Sequence, residues 1–172
     1  MKTDLISIAF ALCISLVAVR APVEADEPVK SDQKPRQSSE EKLFGKAGDP
    51  RKVVRVVYMD MSDTIRLKPA QLTIRQGETV KFVVKNTGKD LHQIAIGIKA
   101  ELKEHEQLMR AYPGMVEHDD SYMAFVAPGK TEEVVWQFTK AGEFNFGCTI
   151  PGHFEAGETG KIFVVSPQSS TQ

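Results

Sequence analysis

Between residues 51 and 165 the chain is a succession of short β-branched and aromatic runs, each closed by a turn pair, and this rhythm limits the fold more than any other feature. Val53-Val54-Arg55-Val56-Val57-Tyr58 opens it. Leu72-Thr73-Ile74 stops at Gln76-Gly77, and residues 80–85 mix apolar and polar positions until Asn86-Thr87-Gly88. Further strand candidates are 92–98, 122–126, 133–138, 143–146 and 161–165, with Pro128-Gly129 and Ala141-Gly142 at turns. Short strands without alternating helices argue for an all-β sandwich or barrel. One segment breaks the rhythm. Residues 100–112 read as an inserted helix with Leu102, His105, Leu108, Met109 and Tyr112 along one face, stopped by Pro113-Gly114.

The flanks read differently. Residues 5–19 are almost wholly apolar behind a short polar start carrying Lys2, and Val23-Glu24-Ala25 offers the small residues of a signal-peptidase site. The run is short for a membrane-spanning helix, which needs about 20 residues. Residues 1–25 are therefore expected to be a cleaved export signal, leaving a soluble, monomeric, periplasmic protein with no membrane segment. Residues 26–50 are polar and charged, almost without apolar content before Leu43-Phe44, and read as a flexible linker. Residues 168–172 read as a disordered tail. The domain is expected over 51–167.

Charge excludes one class of partner. The net charge of -1 comes from nearly balanced residues with no basic stripe, so nucleic acid is not expected. Pro128-Gly129-Lys130-Thr131 ends like a phosphate loop, but Ala124 stands where the required upstream glycine would be.

Export changes the cysteine count. Cys13 leaves with the signal, so Cys148 is a lone thiol in an oxidising compartment with no partner for an internal disulfide. It could be inert packing, dimerise the chain, react, or bind a metal. Its neighbours favour the metal. In Gly147-Cys148-Thr149-Ile150-Pro151-Gly152-His153, a thiol and an imidazole share a loop that Pro151-Gly152 forces to turn between two strands. His92 lies at the start of another expected strand and can supply a second imidazole. Two imidazoles and one thiolate form the trigonal set that selects copper and supports one-electron traffic. Zinc accepts the same ligands.

On these residues the region 51–167 resembles a cupredoxin. The run from Cys148 to His153 is similar to the azurin loop, and Gly77-Glu78-Thr79-Val80, Asn86 and His92 resemble plastocyanin-like proteins. Met59-Asp60, the segment from His105 to Met109 and Met115-x-x-His118 resemble periplasmic cupredoxins associated with copper tolerance. The resemblance implies a Greek-key β-sandwich with one copper ion at its end, held by His92, Cys148 and His153. It also implies an electron exit through His153 and an apolar docking patch that includes Phe154.

One position departs from the family pattern. Where a weak axial Met usually follows the second histidine, this chain has Glu158. A thioether favours Cu(I), whereas a carboxylate is hard and favours Cu(II). Glu158 can bind axially, point to solvent, or hydrogen-bond a ligand histidine from behind. A second, softer copper site could draw on Met59, Met61, His105, Met109, Met115, His118 and Met123, although Met also fills cores well.

Two functions follow. The first is one-electron transfer between Cu(I) and Cu(II) with a periplasmic redox partner such as a cytochrome or an oxidase. The second is copper binding for tolerance, by sequestration or delivery to a copper-trafficking protein. An enzyme is not expected, since reductases and oxidases of this kind use further domains or a second copper cluster.

Overall fold

A computed structural model describes residues 40–64, 66–114 and 120–167 of the chain. The expected signal, most of the expected linker, the tail, Met115 and His118 lie outside these residues. Among the described residues the strands are β1 Lys46–Ala47, β2 Arg55–Met61, β3 Gln71–Arg75, β4 Thr79–Asn86, β5 His92–Gly97, β6 Met123–Val126, β7 Thr131–Gln137, β8 Gly142–Cys148 and β9 Thr159–Val165. The helix α1 spans Lys99–Ala111, between β5 and β6. No helix among the described residues is long and apolar enough to cross a membrane.

Two sheets form, in the orders β1-β7-β4-β2 and β3-β9-β8-β5-β6. β2 pairs with β4 and β3 with β9 in parallel, and the other pairings are antiparallel. Parallel neighbours need a connection that leaves the sheet. Between β2 and β4 the chain crosses over and lays β3 in the opposite sheet. Both sheets thereby contribute to one interior, where Met59, Phe82, Trp136, Ile94, Phe146 and Ile162 pack together.

Side-chain alternation decides what each strand buries. In β2, Met59 and Met61 face the core while Tyr58, between Val57 and Met59, faces solvent. β5 departs from alternation: all six of its residues are buried. Its second face is covered too, because Ala95 packs with Leu102 of α1, Met123 and Phe154 in a small separate cluster. The inserted helix thus lies against the sheet that carries Cys148 and His92.

Three expectations need correction. The packed domain begins before residue 51: Phe44 is buried, stacks on Trp136 at 5.2 Å between ring centres, and accepts the Trp136 indole N–H on its carbonyl at 3.0 Å. β1 then pairs with β7. Fully burying such a side chain contributes roughly 1.5–3 kcal/mol. A composition average over 26–50 hides a single aromatic anchor, and a two-residue strand shows no alternation. Second, β8 continues through Gly147 to Cys148, beyond the expected end at 146. Glycine reads as a strand breaker, yet here its missing side chain is what the site requires. Third, α1 buries Leu102 and Glu106, whereas Leu108 and Tyr112 of the expected apolar stripe are exposed. A carboxylate is buried here because it finds a backbone donor in the loop beneath.

Candidate metal centre

Four side chains converge at one end of the sandwich, and each is placed by a different local device. Cys148 is the last residue of β8 and His92 the first of β5. The β5–β8 register pairs Ile94 with Cys148 and so carries His92 beyond the end of β8, level with the following loop. That loop bends at Pro151-Gly152, where Gly152 has φ 94, a left-handed value that glycine adopts without strain. It closes on itself through His153 N–H to the Ile150 carbonyl at 3.0 Å and Glu158 N–H to the His153 carbonyl at 3.0 Å. Cys148 N–H donates to the Glu158 carbonyl at 2.9 Å, so the two ends of the loop are tied together.

Gly147 lets the loop lie flat. A Cβ there would come within 2.8 Å of the Phe154 ring and 2.9 Å of the Glu158 carbonyl oxygen. Phe154 is itself buried, so it does not form the exposed docking patch that the family resemblance implies. The ring is spent on holding the loop against β8 and α1.

One ligand atom from each of His92, Cys148, His153 and Glu158 lies within 4.8 Å of the others. His153 Nδ1 stands 3.4 Å from Cys148 Sγ and 3.0 Å from Glu158 Oε2. His92 Nδ1 is 3.0 Å from the same Oε2. It is also 2.9 Å from Oε1, without the alignment of a hydrogen bond. Glu158 is fully buried and turned inward, which removes the solvent-facing option. Among these groups only the His153 side chain reaches the surface, at 19% exposure against 0% for His92 and Glu158.

The surroundings orient the ligands. Gln93 N–H donates to Cys148 Sγ at 3.3 Å, and the Thr149 hydroxyl donates to the Gln93 side-chain oxygen. Asn86 donates to the Asp90 and Val126 carbonyls at 2.7 and 2.8 Å and accepts from Gly88 N–H, which shapes the approach to His92. Asp63, a residue that sequence reasoning missed, accepts from Lys89 N–H and Asp90 N–H. Those bonds hold its carboxyl below the usual range, and its Oδ1 lies 3.6 Å from His92 Nε2. An isolated Asp-Thr loop pair carries no sequence signal for such a role.

The chemistry of the set fits copper. Burial, and then the charge of Glu158, push the Cys148 thiol well above its ordinary value, against the opposing pull of the Gln93 and Ile150 N–H groups. A thiolate here is stable only beside a cation, so metal uptake releases a proton. Glu158 Oε1 is buried without a hydrogen-bond partner among the described residues, as expected where a cation completes the balance. Soft thiolate with two imidazoles is a copper set, and the carboxylate adds a hard donor.

Of the residues considered for a second site, Met115 and His118 lie outside the described residues. Met59 and Met61 fill the main core. His105 lines a cavity of about 210 Å³ with Phe44, Leu102, Tyr122 and Met123, and Met109 is half-buried on α1. Among the described residues, His92, Cys148, His153 and Glu158 form the one convergent group of His, Cys, Asp and Glu.

Comparison with known proteins agrees with this geometry. The family model described as copper binding proteins, plastocyanin/azurin family, matches residues 54–165. The copper-resistant cuproprotein CopI of Rubrivivax gelatinosus is 52% identical over 121 residues, covering 70% of this chain and 73% of that protein. A protein of the same name from Pseudomonas aeruginosa is 34% identical over 149 residues, covering 70% and 82%. Among solved structures, dithionite-reduced auracyanin from Roseiflexus castenholzii has a TM-score of 0.55 at 20% identity, covering 64% of this chain and 96% of its own. Auracyanin A of Chloroflexus aurantiacus, titled a "blue" copper protein, has a TM-score of 0.54 at 22% identity, covering 64% and 98%. Those two likenesses show the sandwich fold. With the family match over 54–165 and the inward-facing thiol, imidazoles and carboxylate, the chain belongs to the plastocyanin/azurin family of copper-binding proteins.

Proposed function

We propose that His92, Cys148, His153 and Glu158 together hold one copper ion, and that the protein serves copper resistance in the periplasm by binding the metal. The observation that carries this reading is the buried Glu158 carboxylate between the two imidazoles, at 3.0 Å from each Nδ1. Bound there, copper supplies a Cu(I)/Cu(II) couple. Thiolate and carboxylate, on two fully buried side chains, together carry two negative charges, which balance Cu(II) and leave Cu(I) one charge in excess. The pairing favours the oxidised ion and retention over high-potential relay. The names of the relatives support the same role, and residues 1–25 would direct export.

Electron transfer is the second reading. The ligands stand on strands and a tied loop, a frame that limits reorganisation, and His153 offers a path to the surface at 19% exposure. A cytochrome or an oxidase would then be the partner, and a copper-trafficking protein under the first reading.

The test is the visible and EPR spectrum and the reduction potential of copper-loaded wild type and Glu158→Met. The variant is expected to move towards an ordinary blue spectrum and a higher potential. An unchanged spectrum and potential would remove Glu158 from the copper's ligands. A deletion strain is expected to be copper-sensitive while respiring normally at low copper; the opposite pattern would favour electron transfer.

A further inference from the structure

Burial of a carboxyl group is costly unless it is partnered, and Glu106 is 1% exposed in the middle of α1. Its partner is a backbone N–H of the loop that carries His153. Glu106 Oε1 accepts from Gly152 N–H at 2.6 Å, shorter than an ordinary N–H···O bond, as bonds to charged groups are.

The bond falls where the loop most needs an external hold. Other loop N–H groups point inward, with His153 donating to Ile150, Ala156 to Gly152, Gly157 to Phe154 and Glu158 to His153. Gly152 N–H instead leaves the loop for the helix. Its backbone has φ 94, and its neighbour in sequence is His153. Two further attachments reinforce the contact. Leu102, one turn before Glu106, shares an apolar cluster with Phe154, and Arg110, one turn after, reaches Glu155 at 3.2 Å and Glu106 at 3.9 Å. The residues that α1 buries, Leu102 and Glu106, are the ones that meet the ligand loop.

We propose that Glu106 is a positioning residue for the metal centre: through Gly152 N–H it fixes the Pro151-Gly152 turn and thereby aims His153 before the metal arrives. The inserted helix is then a brace for the ligand loop. This rests on the reading of His153 as a copper ligand, but the hold itself exists without metal and is measurable without it.

The experiment compares wild type, Glu106→Gln, which keeps an acceptor, and Glu106→Met, which keeps the volume and loses it. In copper-free protein, NMR is expected to detect a coupling across the hydrogen bond from Gly152 nitrogen to the Glu106 carboxyl carbon. Gly152 amide exchange should quicken on the order of tenfold in the Met variant, the loss of one such bond, and stay near wild type in the Gln variant. In copper-loaded protein the Met variant should show a shifted thiolate-to-copper band and EPR spectrum, and the Gln variant should not. Absence of the coupling in wild type, or a Met variant that melts earlier while keeping the wild-type spectrum, would overturn the proposal. Should the Met variant not fold, the wild-type coupling decides alone. A wild type with the coupling but no thiolate band on adding copper would overturn the copper reading and leave the brace intact.

Discussion

The four converging side chains fall into two halves that are held in different ways. His92 and Cys148 stand on β5 and β8, fixed by the ladder that pairs Ile94 with Cys148, and both are fully buried. His153 and Glu158 come from the loop between β8 and β9, whose shape depends on a Pro-Gly turn, the Phe154 ring and the bond to Glu106. The strand half is set by backbone pairing that any compatible side chain preserves. The loop half is set by particular side chains, so it is where the properties of the centre can be tuned without disturbing the sandwich.

Three experiments break or sharpen this contrast. The largest effect is expected for Cys148→Ser, on the strand half. It should abolish the thiolate-to-copper absorption entirely while the circular dichroism of the fold remains, because the ladder does not depend on the sulfur. A Ser variant that keeps an intense visible band would show that the absorption has another origin.

Next comes a pair of glycines on either side of the divide. Gly147→Ala forces a Cβ to within 2.8 Å of the Phe154 ring, and overpacking of this kind costs about 1–3 kcal/mol. It should also displace Glu158 and alter the copper spectrum. Gly152→Ala meets nothing within 4 Å, so its cost is the backbone conformation alone, about 1 kcal/mol. Urea unfolding of the two variants checks the order, and equal costs would mean that the Phe154 contact contributes little.

The smallest effect is a pH dependence of the copper-free protein. The Cys148 thiol is pushed up in the folded state, so above the ordinary thiol range the unfolded chain loses a proton that the folded chain keeps. Stability should therefore fall as the pH rises past that range, by at most about 1.4 kcal/mol per pH unit. Cys148→Ser should remove that component. Identical slopes in the two proteins would show that the thiol is not buried as described.

Much of this was legible in the chain before its structure. Short β-branched runs closed by turn pairs marked the sandwich, and the Cys-to-His spacing around Pro151-Gly152 marked the loop, because both signals lie within a few residues of sequence. Glu106, Asp63 and Phe44 were not legible. A carboxylate on a helix reads as solvent-facing until a backbone donor is found 46 residues away, and Asp63 gains meaning only beside Lys89, Asp90 and His92. Phe154 reads as an exposed aromatic until the missing side chain of Gly147 makes room for it.

The sequence by itself determined the fold class, the copper-type donor set and the identity of the unusual residue at 158, since hydrophobic period, turn chemistry and ligand type are local properties. Tertiary structure alone decided that Glu158 faces inward between the imidazoles and that the inserted helix bears on the ligand loop. Those outcomes depend on which distant groups meet across two sheets, and a buried polar group takes its role from the partner it finds there.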